Sequence, residues 1–374
     1  MAKAKVYFTD MRTQPGANLL DKTERMLKAA GLLDIDYKGK LVALKMHFGE
    51  PGNLSFLRPN YVARVASLIK AAGGRPFLTD ANTLYSGRRS DAVNHLRSAC
   101  ENGFNPLSTG CDVVIADGLR GNDYREIEIG QKHVKRAFIG AAIAEADIVV
   151  SLTHFKGHEL TGFGGALKNL GMGSGSVAGK REMHADSKPV VKRESCVGCG
   201  ACVRDCAHSA IALDAESKAA IDYSKCVGCG QCIVACQYGA AAAGSNSASC
   251  QEKIAEYALA VIKGKPSFHV SFVMDVSPNC DCWGHNDAPI VPNVGILASR
   301  DPVALDRACY DLVNSAPVLP MSAAAEGAGG TGPAEHGASG DRFQLAHPGM
   351  DGKQGLAYAE SIGLGTQDYE LLRV

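Results

Sequence analysis

The chain has no net charge: Lys and Arg number 39, Asp and Glu 39. A nucleic-acid partner is recognised through a cationic surplus, so this balance argues against one. Long apolar runs are missing as well, and no segment approaches the length needed to cross a bilayer. The opening residues, MAKAKVYFTD, lack the apolar core of a secretory signal. A cytoplasmic protein without membrane attachment is expected. Two phosphate-binding signatures are also absent. The glycine-rich run 162–173 has neither the Gly-Lys-Ser/Thr ending of a Walker loop nor the glycine spacing and following acid of a dinucleotide fingerprint.

Cysteine, by contrast, is plentiful, with 14 in 374 residues. Cys196, Cys199, Cys202 and Cys206 read C-x2-C-x2-C-x3-C, and Cys226, Cys229, Cys232 and Cys236 repeat the pattern. This is the ligand run of a bacterial-type ferredoxin module with two 4Fe–4S clusters. Two residues between thiolates let a short loop wrap three corners of a cubane, and the fourth ligand comes from the other run. One cluster is therefore assigned to Cys196, Cys199, Cys202 and Cys236, the other to Cys226, Cys229, Cys232 and Cys206. Glycines at 198, 200, 228 and 230 allow backbone amides to approach the cluster sulfurs. Zinc also binds paired thiolates, but two tandem runs with matching internal spacing favour cubanes. The proline that usually follows the fourth cysteine is Ala207 in one run and Gln237 in the other. The cluster spacing points to a reducing compartment rather than to disulfides, and bare cubanes suggest a low-oxygen host.

The rest of the chain alternates strand and helix signals. Strands are expected at 5–9, 41–47, 76–79, 113–116, 148–151, 268–275 and 294–298. Helices are expected at 60–72, 134–145, 251–262 and 301–313. Parallel strands joined by crossover helices follow, an α/β fold with a layered, mostly parallel sheet. The ferredoxin-like insert at 189–245 interrupts it, leaving one discontinuous α/β domain from 1–188 and 246–374. The Ala- and Gly-rich stretch 323–340 reads as a flexible surface loop. Cys100, Cys111, Cys250 and Cys309 fit no pattern and read as ordinary buried thiols.

In such folds chemistry gathers at the carboxyl ends of the strands. Four of those ends carry polar residues: His47 to Glu50, Thr79 to Asn82, Asp117 to Arg120, and Thr153 to Glu159. A shared site is expected there. Asn279-Cys280-Asp281-Cys282 adds two thiols which, two apart in an extended chain, point the same way and can reach one metal or each other. His154 and His158 have the spacing of ligands on one helical face, although Gly157 between them weakens a helix. A third metal site from Cys280, Cys282, His154 and His158 is one expectation, and a redox dithiol is the other. The glycine run reads as a ligand cradle into which Lys168 projects its charge.

Taken together, Lys45-Met46-His47-Phe48-Gly49-Glu50, Asp80 to Tyr85, His154 to His158, the run 162–173, Asn279 to Cys282 and Ser299 to Ala304 carry a resemblance. The chain resembles the iron–sulfur members of the domain-of-unknown-function 362 family over nearly its full length. That resemblance implies an α/β domain with a two-cluster ferredoxin insert, and it supplies no reaction. The glycine run with Lys168, preceded by His154 and His158, is also similar to the stretch of nickel-pincer lactate racemases where a lysine carries the cofactor.

The function expected is that of a cytoplasmic iron–sulfur redox protein. Its ferredoxin module would take low-potential electrons from a redox partner protein or soluble carrier and relay them to the α/β site. Lys168 would hold a small anionic substrate beside His47, and Glu50 or Asp80 would move protons, with burial raising the carboxyl toward neutrality. The alternatives are a non-catalytic electron-transfer and docking module, or a factor that loads metal or clusters into another protein.

Overall fold

Eight strands form the central sheet: β1 (Ala4–Asp10), β2 (Leu41–Lys45), β3 (Arg75–Asp80), β4 (Val113–Ile115), β5 (Ile148–His154), β6 (Ser267–Val273), β7 (Gly295–Ser299) and β8 (Tyr369–Arg373). The computed structural model describes residues 3–374 apart from 86, 187, 237, 243, 245–246 and 330–339. The strand order is β8-β1-β7-β6-β5-β2-β3-β4. From β6 to β4 every neighbour is parallel, whereas β7 runs antiparallel to both β1 and β6. This is a mixed α/β fold with a large, mostly parallel sheet. Every residue of β5 is buried, as a strand covered on both faces requires. Along it Val149 joins one hydrophobic cluster and Val150 the other, the period-2 alternation that separates the two faces.

Helices cover both faces. Pro59–Ala71 buries Val62, Val65, Ala66 and Ile69, the stripe its sequence spacing indicates. On the other face, Ala166–Ser174 packs against Ser247–Ile262. The helix expected at 134–145 is a correction. Arg136–Gly140 is a strand pairing antiparallel with Tyr124–Glu128, and only Ala141–Glu145 is helical. Ala137 and Ile139 are buried while Arg136 is exposed. The alternation of a hairpin outweighed helix propensity there.

The segment carrying the two cysteine runs is closed at its base, where Val190–Val191 pairs antiparallel with Ala241–Ala242. It contains a hairpin of Ile211–Leu213 with Ala219–Ile221, and short helices Ala201–Arg204 and Gln231–Ala235. Its buried residues, Cys196, Cys202, Ile211, Ala219 and Cys232 among them, form a cluster separate from the main core. The sheet passes across this segment without a break, since β5 before it pairs with β6 after it. Of the stretch read as a loop, Ala323–Gly327 is a short helix, and 330–339 lie outside the described residues, as does Gln237. Among the described residues no helix is long and apolar enough to cross a membrane.

Candidate functional site

The carboxyl ends of β2, β3, β5 and β6 face one crevice of about 1020 Å³, its open mouth included. Three of the four expected strand ends meet there: His47, Asp80 and the stretch Thr153–Glu159 all line it, with Lys168, Cys280 and Cys282. The fourth end does not. Asp117 is fully buried behind the crevice, where it accepts from the backbone and side-chain nitrogens of Asn82 at 2.9 and 3.0 Å.

The thiol pair sits on the loop after β6. Cys280 is 2% exposed, while Cys282 is half-buried. Lys168, in the first turns of helix Ala166–Ser174, places Nζ 3.5 Å from Cys280 Sγ. His158 accepts the backbone N–H groups of Leu160 and Thr161 on Nδ1, at 3.1 and 3.2 Å. Its proton is therefore on Nε2, and the ring helps to lower the Cys280 thiol. A hydrogen bond from Cys282 lowers the Cys280 thiol well below its usual range, against the cost of burial and with help from Lys168 and His158. The same bond, with burial, pushes Cys282 well above its range. Of the two, Cys280 is the sulfur its surroundings favour as thiolate. Burial works against the charge of Lys168, but Cys280, Cys282 and Glu159 outweigh it and raise its pKa.

His154 is engaged elsewhere. Its Nδ1 lies 2.9 Å from both carboxylate oxygens of Asp281 and its Nε2 lies 2.9 Å from the Met274 carbonyl. Both ring nitrogens face acceptors, so neither presents a lone pair to a metal. The stretch Lys156–His158 is a strand paired with Gly162–Gly164, so no helical face carries the two histidines. Among the described residues no three His, Cys, Asp or Glu side chains gather closely enough to hold one metal ion.

Asp80 differs from its expected role as a proton carrier. Burial alone would raise its carboxyl, but Lys45 at 2.9 Å, His47, His95 and Arg89 hold it well below the usual carboxylate range. Glu50 does not line the crevice; it accepts from Arg88 N and Arg89 Nε, both at 2.7 Å, and so orients Arg89, which does. His47 accepts from Gly49 N on Nδ1 at 3.0 Å, and burial keeps its ring neutral.

The sequence reading missed several lining residues. Lys45 ends a buried strand, and its Nζ donates to Asn169 at 2.8 Å. Lys156, within the expected strand end Thr153–Glu159, faces Asp281 at 3.2 Å. Tyr85 stacks on Trp283, whose Nε1 donates to Glu159 at 3.1 Å. Lys180, lowered to about 8 chiefly by burial, closes the back. A charge in an otherwise apolar strand, as in Leu41–Lys45, was the available signal. The glycine run is largely the helix Ala166–Ser174 and not an open cradle. A Cβ on Gly173 would lie 2.4 Å from Lys45 Nζ, so that glycine admits the lysine. Cys250, read as an ordinary thiol, also lines the crevice, and Cys100 is exposed rather than buried.

The cysteine-rich segment reaches the same crevice: Cys229 and Gln231 are part of its wall. Gly230, at φ +78°, faces Leu160, where a Cβ would meet Cδ1 at 2.7 Å. A separate cavity is lined by Cys196, Cys199, Cys202 and Cys236. Burial raises the Cys229 thiol, and Cys206 and Cys226 lie close enough to add to that rise. Among the described residues no two cysteines are joined in a disulfide.

Residues 42–311 match the family model described as "Domain of unknown function (DUF362)". The chain belongs to this family. As a member it is also 32% identical over 131 residues to the "Thylakoid-associated protein sll1697" of Synechocystis sp.. That match covers 35% of this chain and 36% of the relative, about a third of the relative's length. Among solved structures it is similar to the lactate racemase apoprotein from Thermoanaerobacterium thermosaccharolyticum, at 12% identity and a TM-score of 0.42. That likeness covers 85% of this chain and 59% of the other.

Proposed function

We propose that this chain is an iron–sulfur redox protein whose cysteine-rich segment serves the strand-end crevice. The observation that carries the reading is that Cys229 of the second run lines the same crevice as Cys280, Cys282 and Lys168. The donor set fits two cubanes. Cys196, Cys199, Cys202 and Cys236 surround one cavity, yet no three of the described thiols converge on a single ion. Four thiolates spread around a void suit a cube of iron and sulfide better than one tetrahedral zinc. Cys226, Cys229, Cys232 and Cys206 would hold the second. Bound there, such clusters supply one-electron chemistry at a potential set by hydrogen bonds and exposure.

The chain's own residues then do the rest. Lys168 and His158 hold Cys280 as a thiolate. Lys45 and Lys156 face Asp80 and Asp281, whereas the nearest charge to Lys168 is sulfur. Lys168 is accordingly the residue to receive a small anionic substrate. Iron and acid-labile sulfide, measured on protein purified without oxygen, test the reading. About eight of each per chain support it; zinc in their place, or neither, sinks it.

A second reading, a docking module for an electron carrier, draws on the exposed apolar residues of the cysteine-rich segment. Val190, Val197, Leu213, Tyr223 and Tyr238 are all solvent-exposed, and Val197, Leu213 and Tyr238 border the first thiol cavity. If it holds, Val197→Glu slows reduction by a small carrier protein and leaves reduction by dithionite unchanged.

A further inference from the structure

The geometry points to Cys280 and Cys282 as a reversible dithiol–disulfide couple, reduced from the Cys229 side of the crevice and poised by Lys168. This deepens the reading above and rests on it for the source of electrons.

Three features carry the inference. Cys280 and Cys282 lie two residues apart and line the same crevice, and each shifts the other's thiol in opposite directions, so the pair is close enough to interact. Lys168 Nζ stands 3.5 Å from Cys280 Sγ and the His158 ring adds to the lowering of that thiol, while His154 is turned away to Asp281 and Met274. That is a setting for a thiolate, and among the described residues no third His, Cys, Asp or Glu joins the pair as a metal ligand. Finally, Cys229 lines the same crevice, which ties the pair to the cysteine-rich segment through one shared space.

The step balances with a one-electron reductant and one proton. The sulfur–sulfur bond takes up two electrons and one proton and breaks, leaving Cys280 as thiolate and Cys282 as thiol. The electrons come from a low-potential one-electron donor, two equivalents per disulfide. Lys168 and His158 stabilise the product and not the disulfide, so they make the bond easier to reduce. A stabilised reduced form is what renders a dithiol couple oxidising. Replacing Lys168 removes that bias and lowers the potential. The expected change is about tenfold in the equilibrium with a reference dithiol, or roughly 30 mV for a two-electron couple.

The test uses the full chain purified without oxygen. After mild oxidation with diamide, free thiols are alkylated and the peptide spanning 280–282 is examined by mass spectrometry. The result expected is a peptide that has lost two hydrogens and resists alkylation. Equilibration with dithiothreitol mixtures then gives its potential, and Lys168→Met shifts that potential downward by about the stated amount. In the cluster-loaded protein, dithionite restores two alkylatable thiols, and in Cys229→Ser it restores them far more slowly. A pair that never links, or a Lys168→Met potential equal to that of the parent, overturns the inference. So does a linked pair that dithionite cannot open in cluster-loaded protein. Because the dithiothreitol arm needs no cluster, a protein that lacks iron but cycles the pair refutes the iron–sulfur reading alone.

Discussion

Lys168 Nζ stands 3.5 Å from Cys280 Sγ, so the glycine-rich stretch after β5 and the Cys-Asp-Cys turn after β6 meet in one ion pair. Burial disfavours the ammonium and the thiolate alike; Cys280, with Cys282 and Glu159, raises Lys168, while Lys168 adds to the Cys282 hydrogen bond that lowers Cys280.

Alkylation should report this directly. An unperturbed thiol, with a pKa of about 8.5, loses roughly tenfold in thiolate for each pH unit below that value. Cys280 is held well below its ordinary range, so its rate with iodoacetamide, followed by peptide mapping, should stay nearly level from about pH 8 to 6. Lys168→Met should restore a slope. A tenfold fall per unit in the parent protein would refute the assignment of Cys280 as the thiolate.

Arg89 supports the crevice through charge. It is 1% exposed, its Nε donates to Glu50 at 2.7 Å, and its guanidinium also donates to Tyr85 Oη at 2.7 Å. Arg89→Met strands Glu50 without its buried partner, a loss of about 3–5 kcal/mol. Urea unfolding followed by circular dichroism should show it. Adding Glu50→Gln should recover part of the loss, because the stranded charge is then removed. Equal stability of parent and Arg89→Met would contradict the buried pairing.

Acid sensitivity between about pH 6.5 and 5 belongs to buried histidines. Burial lowers His95 and His269 to about 3, against about 6.5 in an unfolded chain. Below that value the unfolded state binds protons the folded state refuses, so stability falls as pH falls. Each ring adds about 1.4 kcal/mol per pH unit. Asp80 and Asp281 act lower down. Their folded pKa values are depressed, so their contribution is complete above about pH 4 and disappears only as pH falls further. His269→Gln, compared with the parent by urea midpoints at pH 7, 6 and 5, should flatten the dependence by one ring's share. An unchanged slope would mean that His269 does not stay neutral in the fold.

Legibility differed between fold and site for physical reasons. Strands such as Leu41–Lys45 and the helix Pro59–Ala71 announce themselves by period, because burial on one or both faces leaves an apolar pattern. The hairpin of Tyr124–Glu128 with Arg136–Gly140 did not, since its stabilising partner is another strand and not its own sequence. At the site, Cys280, Cys282, His158 and Lys168 stood out as reactive types at strand ends. Their division of labour was invisible, because it depends on which atom each one faces. His154 and His158 look equivalent in sequence; the structure gives one to Asp281 and the other to the thiolate. Arg89, Lys45 and Trp283 come from segments far apart in the chain, and only the crevice joins them.

The cysteine runs offer the sharpest test of how the segment is built. In the chain they are separate, but the charges acting on Cys202 come from Cys236, Cys196 and Cys199, and Cys236 closes the cavity lined by those three. Cys206 likewise acts on Cys229 and Cys232. If each run held its own cluster, Cys236→Ser would damage the site of Cys226, Cys229 and Cys232. With the runs exchanged at their fourth cysteines, the damage should fall on the site of Cys196, Cys199 and Cys202 and leave the site beside the crevice intact. Iron should drop by about four per chain. The surviving cluster should be the one whose reduction by dithionite still opens the Cys280–Cys282 bond. Loss of that reduction in Cys236→Ser, with iron halved, would place Cys236 on the crevice-side cluster and refute the exchange.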